Sequence, residues 1–203
     1  VSVAKIKRFD ATIFPAEYVP VVFMTNRTFA DMTDEKIDEL AEHTLKLIRD
    51  IATVNRFPEI REIKIDCDWT TRTRNAYFRF LEILKERSAK KISCTLRLHQ
   101  IKDKKQTGVP PVDKGYLMCY ATSDPTGDDS ANSILDISLL KAYTRTINDY
   151  PLTFDVALPL YSWGIVTNHL GQKKLVNGLS ADDMQLPFFR QTGEYTFEVE
   201  QDC

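Results

Sequence analysis

The segment Ile63-Lys64-Ile65-Asp66-Cys67-Asp68-Trp69-Thr70 holds two carboxylates two residues apart at the end of an apolar run. Such a run predicts a strand, and alternate side chains of a strand share a side. Asp66, Asp68 and Thr70 are therefore expected to line one surface, with Cys67 and Trp69 on the other. Unpaired carboxylates at the C-terminal end of a parallel strand are costly unless they serve a site. Two that lie side by side can divide acid and base roles between them. The alternative is a structural network in which Arg97 neutralises both.

Other polar residues fall at the ends of apolar runs. Asp10 and Asn26 follow the first two runs, and Arg97, His99 and Gln100 follow the fourth. Arg97 and His99 share a face by strand parity, and Arg97 can hold a carboxylate through two parallel hydrogen bonds. Asp10 and Asp155 are further acids to weigh beside the central pair. Tyr120, Tyr161 and Trp163 are the aromatic candidates, because rings pack against the apolar faces of sugars while polar rims supply hydrogen bonds. Asp66, Asp68, Asp10 and His99 are of metal-binding type, but no spacing demands a metal. We assign neither a metal nor a cofactor from the sequence.

Six strand-like runs position these residues: Val3–Phe9, Tyr18–Thr25, Ile60–Trp69, Ile92–Leu98, Tyr116–Ala121 and Leu152–Leu160. Helical spacing appears over about 33–55, with Asp31 or Thr33 as cap and Pro58 as stop, and over about 73–89 and 133–148. Residues 102–114 read as a basic polar loop, and 165–179 read as a hairpin with Gly171 near its centre. Strand and helix alternate, which argues for a parallel sheet with covering helices. No glycine-rich turn follows an early strand, as a dinucleotide-binding fold requires. Polar residues at nearly every strand end point instead to a (β/α)8 barrel, whose sites lie there. A full barrel takes about 250 residues and about eight strands, so 203 residues with six runs predict a partial one, or one whose remaining strands are atypical. Residues 1–164 would form its main part, and 165–203 a hairpin or extension.

Composition narrows the function classes. Hydrophobic residues make up 43% and charged residues 28%, as expected of a chain that folds around a core in water. A net charge of −2 offers no electrostatic case for nucleic acid or an anionic membrane. No apolar run is long enough to span a bilayer, and no export signal is visible. Cys67, Cys94 and Cys119 each sit within an apolar run and read as small buried hydrophobes. Cys203 ends the chain.

Asp66-Cys67-Asp68-Trp69-Thr70 resembles the D-x-D-W-E strand end of family 18 glycoside hydrolases, the chitinase-like proteins. Leu117-Met118-Cys119-Tyr120 is similar to that family's M-x-Y segment, and Leu158–Gly164 to its P-x-Y-G region, in the same order. The whole pattern, with Arg8-Phe9-Asp10 and Thr107–Pro111, also looks like a bacterial barrel family, often exported or lipid-anchored, from which no activity carries over. The chitinase-like resemblance implies a carbohydrate ligand and glycoside hydrolysis assisted by the substrate. Asp68 then orients the reacting sugar, and Asp66 tunes it or acts as the acid. Asp10, Asn26, Thr70, Arg97, His99, Gln100, Tyr120, Asp155, Tyr161 and Trp163 bind substrate. Thr70 stands where the family carries its acidic Glu, and a hydroxyl does not replace a carboxyl as proton donor. The second expectation is therefore a carbohydrate-binding or scaffold protein without turnover.

Overall fold

The computed structural model describes residues 17–127, 132–180, 182–194 and 196–200. Five parallel strands form one sheet: β1 (Val21–Phe23), β2 (Glu62–Asp66), β3 (Lys91–Arg97), β4 (Lys114–Met118) and β5 (Phe154–Ala157). Their order in the sheet is their order in the chain. The expected first run, Val3–Phe9, and Asp10 lie outside the described residues.

The (β/α)8 barrel expected from the sequence, partial or complete, is not what forms. Among the described residues the parallel sheet has five strands, with β1 and β5 at the two ends of its order. Beyond β5 the chain makes two antiparallel pairs instead of another parallel strand. β6 (Trp163–Thr167) pairs with β7 (Lys173–Asn177), and β8 (Phe189–Gln191) with β9 (Phe197–Val199). The physical cause is local. A parallel partner needs a long crossover, whereas a short turn returns the chain antiparallel. Between β6 and β7 only Asn168–Gln172 intervene, closed by Asn168 N–H on the Gln172 carbonyl at 3.0 Å, with Gly171 at a φ of 75°.

Two helices cover one face of the sheet. The first is α1 (Asp34–Asn55), where the Thr33 hydroxyl accepts from Lys36 N–H and Asp34 and Glu35 occupy the first turn. It ends as Arg56 turns left-handed, two residues before Pro58. The second is α2 (Arg74–Ser88), which buries Tyr77, Phe80, Leu81 and Leu84. Facing them, Ile63, Ile65 and Cys67 lie beside Ile92, Cys94 and Leu96, all at most 1% exposed. Trp69 joins this core, stacked on Tyr77 at 5.3 Å, as its parity predicts.

Residues 102–114 are not a loose loop. After β3 the chain enters α3 (Leu98–Lys102) and then α4 (Lys104–Thr107). The Trp69 indole N–H donates to the Thr107 carbonyl at 2.9 Å, and the Arg74 guanidinium donates to the Gln106 carbonyl at 3.0 Å. The helix expected over 133–148 is shorter: α5 (Ile137–Tyr143) starts where Asp136 accepts from Leu139 N–H. Upstream, Asn132 already holds Ile134 and Leu135 in a turn through its side-chain oxygen. The described residues group into two compact units, 17–118 with 143–157 and 119–142 with 158–200.

Candidate functional site

The sheet face away from α1 and α2 is polar. Alternation along β2 puts Glu62, Lys64 and Asp66 on it, each half-buried, while Ile63 and Ile65 point to the helices. Asp68 and Thr70 keep the same parity past the strand end and are exposed, with Cys67 and Trp69 buried between them. Registered neighbours in a parallel sheet share a side. Val21 therefore sits beside Lys64, and Phe23 beside Asp66. Across β3 and β4 the same face carries Ser93 beside Lys114, and Thr95 beside Tyr116, with Asp155 next in register to Tyr116.

These side chains form one hydrogen-bonded layer. The Thr95 hydroxyl donates to Asp66 Oδ1 at 2.7 Å. Glu62 Oε1 accepts from Ser93 Oγ at 2.6 Å and from the Tyr116 hydroxyl at 2.9 Å. The Tyr116 ring has the Lys64 ammonium 3.3 Å and the Lys114 ammonium 4.9 Å from its centroid. Lys114 is ion-paired with Asp155, whose hydrogen bond raises the lysine's pKa. Lys64 shifts the other way. Burial lowers its pKa, and the charge of Lys114 adds to that against the pull of Glu62, Asp155 and Asp66. Burial and the Glu62 hydrogen bond push the Tyr116 phenol up, so it stays protonated.

At the C-terminal edge Arg97 forks onto Asp68. Nε donates to Oδ1 at 2.5 Å and Nη2 to Oδ2 at 2.9 Å. The backbone of Arg97 is held by Gln100, whose side-chain oxygen accepts its N–H at 2.7 Å while the amide NH2 donates to the Trp69 carbonyl at 3.4 Å. Gln100 is 0% exposed, and its amide fixes this turn from within the core. Thr70 opens the path into α2. Its N–H donates to Thr73 Oγ1 at 3.0 Å, and the two hydroxyls lie 3.3 Å apart.

The structure thus gathers Asp66, Asp68, Arg97 and Asp155 on one face, with Thr70 at its rim. Asn26 begins a short 3-10 turn after β1. His99 is exposed within α3; β3 ends at Arg97, so strand parity does not carry His99 to the same side. Tyr120, Tyr161 and Trp163 belong to the second unit. Tyr161 packs edge-on against Tyr120 at 5.6 Å and lies 5.2 Å from Trp163. The Trp163 indole donates to Ser133 Oγ at 3.0 Å. A shallow depression of about 640 Å³ beside this cluster is lined by Leu160, Tyr161, Trp163 and Asn177 among others.

Sequence reasoning passed over Phe23, Glu62, Lys64, Lys114 and Tyr116. The signal for two of them was present, because Glu62 and Lys64 share parity with Asp66 and Asp68. The others reach the face only through pairing of strands distant in sequence.

Among the described residues no group of three His, Cys, Asp or Glu side chains is placed to hold a metal ion. No helix among them is long and apolar enough to cross a membrane. Cys67, Cys94 and Cys119 are buried free thiols. No protein-family model, curated protein or solved structure matches the chain.

Proposed function

We propose that the chain binds a carbohydrate at the C-terminal edge of β2 and β3 without hydrolysing it. The observation that carries this reading is Phe23, 70% exposed and in register with Asp66 on the same face as the Asp68–Arg97 pair. An apolar ring beside a charged, hydrogen-bonding rim suits the two-sided surface of a sugar. Asp66, Asp68 and Arg97 offer acceptors and donors to hydroxyl groups, and Phe23 offers the platform. The sequence resemblance to chitinase-like strand ends supports the same ligand class.

Turnover is disfavoured by two features. Thr70 stands at the acid's position, with its hydroxyl beside that of Thr73. Asp68 has both oxygens engaged by the Arg97 guanidinium, in an ion pair that holds it as an acceptor. Hydrolysis is the second reading, favoured by the shared face of Asp66 and Asp68, with Asp66 as the acid.

Binding to a panel of chitin, peptidoglycan and plant and host glycans tests the proposal, alongside reducing-sugar release. Wild type is expected to bind at least one glycan without release. Phe23→Ala and Asp68→Asn should each weaken binding by about tenfold, or about 1.4 kcal/mol. Trp163→Ala, in the second unit, should leave it unchanged. Release that vanishes in Asp68→Asn would establish a glycosidase instead, and absence of binding to every glycan would reject a carbohydrate site.

A further inference from the structure

We propose that Lys64 is an amine nucleophile that forms an imine with a small aldehyde or ketone on the polar face of the sheet.

Two lysines flank the Tyr116 ring on this face, and their surroundings differ. Lys114 is paired with Asp155. Among the described residues no carboxylate lies within ion-pair distance of the Lys64 ammonium; its recorded partner is the Tyr116 ring at 3.3 Å. The nearest acid in sequence, Glu62, is already engaged by Ser93 and Tyr116, and Asp66 by Thr95. A half-buried ammonium without a carboxylate partner gives up its proton more readily than an exposed lysine does, even with the Tyr116 ring beside it, and a lowered pKa is how enzymes ready lysine for attack on carbonyls. The direction of its pKa shift agrees.

Among the described residues the strands of the sheet set what faces Lys64. β1 contributes Val21, without charge. β2 itself contributes Glu62 and Asp66, β3 the neutral Ser93, β4 Lys114 and Tyr116, and β5 Asp155. The exposed apolar side chain of Val21 and the protonated phenol of Tyr116 suit a small carbonyl compound: one contacts its alkyl part, the other gives and takes a proton.

The step balances without an outside oxidant or reductant. The Nζ lone pair attacks the carbonyl carbon, and the C=O π pair moves to oxygen, which takes a proton. Nitrogen loses a proton, giving a neutral carbinolamine. The hydroxyl then leaves as water on protonation, the nitrogen lone pair forms C=N, and the nitrogen's remaining proton returns to the Tyr116–Glu62 pair or to solvent. The net change is amine plus carbonyl to imine plus water.

Incubating the full chain near neutral pH with pyruvate or with butanal, then reducing with cyanoborohydride, converts any imine to a stable secondary amine. Peptide mass mapping locates it. The expected result is the mass of one reduced adduct on Lys64 from at least one probe, ahead of exposed lysines such as Lys46. Lys64→Arg should lose that adduct while keeping its thermal midpoint, because arginine preserves the stack on Tyr116. Tyr116→Phe should slow trapping and leave the fold intact. A purely structural Lys64 would label no faster than Lys46. Adducts spread evenly over surface lysines, confined to the α-amine, or absent with both probes would overturn the proposal, and wild-type mapping decides this even if a variant fails to fold. Trapping reads Lys64 whether or not a glycan binds beside Phe23.

Discussion

Gln100 and Arg97 show how two neighbouring polar residues take opposite roles. Both stand at the end of β3, and both read as ligand-facing in the sequence. Arg97 keeps strand parity and reaches Asp68 on the polar face. Gln100 lies one helical turn further on, where its amide satisfies the Arg97 N–H and the Trp69 carbonyl inside the core. A buried donor left without its partner costs about 1–3 kcal/mol. Gln100→Ala is therefore expected to lower unfolding free energy by about that amount in a urea titration. Glycan binding at Phe23 and Asp68 should persist in the folded fraction. A stability change near zero would mean that water enters and replaces the amide.

At the scale of elements, β3 is the central strand of the five described and β4 lies beside it. Gly115 of β4 sits on the helix side, in register with Cys94 and Phe154. A Cβ there would come 2.5 Å from Leu96 Cδ1 and 3.2 Å from Phe154 Cβ. The leucine end can turn aside, but the Phe154 Cβ is fixed to its strand. Gly115→Ala is expected to cost about 1–3 kcal/mol as overpacking, read as a lower midpoint in chemical denaturation with the m-value unchanged. A neutral or stabilising result would show that β5 yields. Helices α1 and α2 were legible because their apolar spacing is long, and α1 also carries a local cap at Thr33. The length of α5 was not, because Asn132 and Asp136 compete for the backbone N–H groups that a longer helix would use.

At the scale of the molecule, the core beneath α1 and α2 concentrates weak acids. Burial pushes the Cys67 thiol from an ordinary 9.0 up to about 12, with Asp68 and Asp66 adding to it. Burial also raises Cys94 and Tyr77. In each case the folded state holds its proton more tightly than the unfolded state. Stability from these groups is full below the unfolded values and is lost as pH climbs through the folded ones. For Cys67 alone the window runs from about 9 to about 12, and the loss is on the order of 4 kcal/mol at its upper end. Thermal midpoints are therefore expected to hold near neutrality and fall steeply above about pH 9. Cys67→Ala should flatten that alkaline limb even if it lowers the midpoint at neutral pH. An unchanged limb in the variant would shift the dependence to Cys94 and Tyr77.

The sequence by itself determined much of the local content: the approximate places of β1 to β5 and of α1 and α2, which side chains of β2 share a side, and that Trp69 belongs to the core. These follow from alternation of two and spacing near 3.6, which a single segment carries. Strand count and closure were decided elsewhere. An apolar run looks the same whether its partner is parallel or antiparallel, so only the paired structure showed five parallel strands followed by hairpins. The same holds for the site. Asp66 and Asp68 could be read from their own strand, whereas Phe23, Ser93, Tyr116 and Lys114 join them through registers between segments tens of residues apart. Chemistry that depends on which lysine has a carboxylate beside it is a property of that registered face, and no single stretch of the chain contains it.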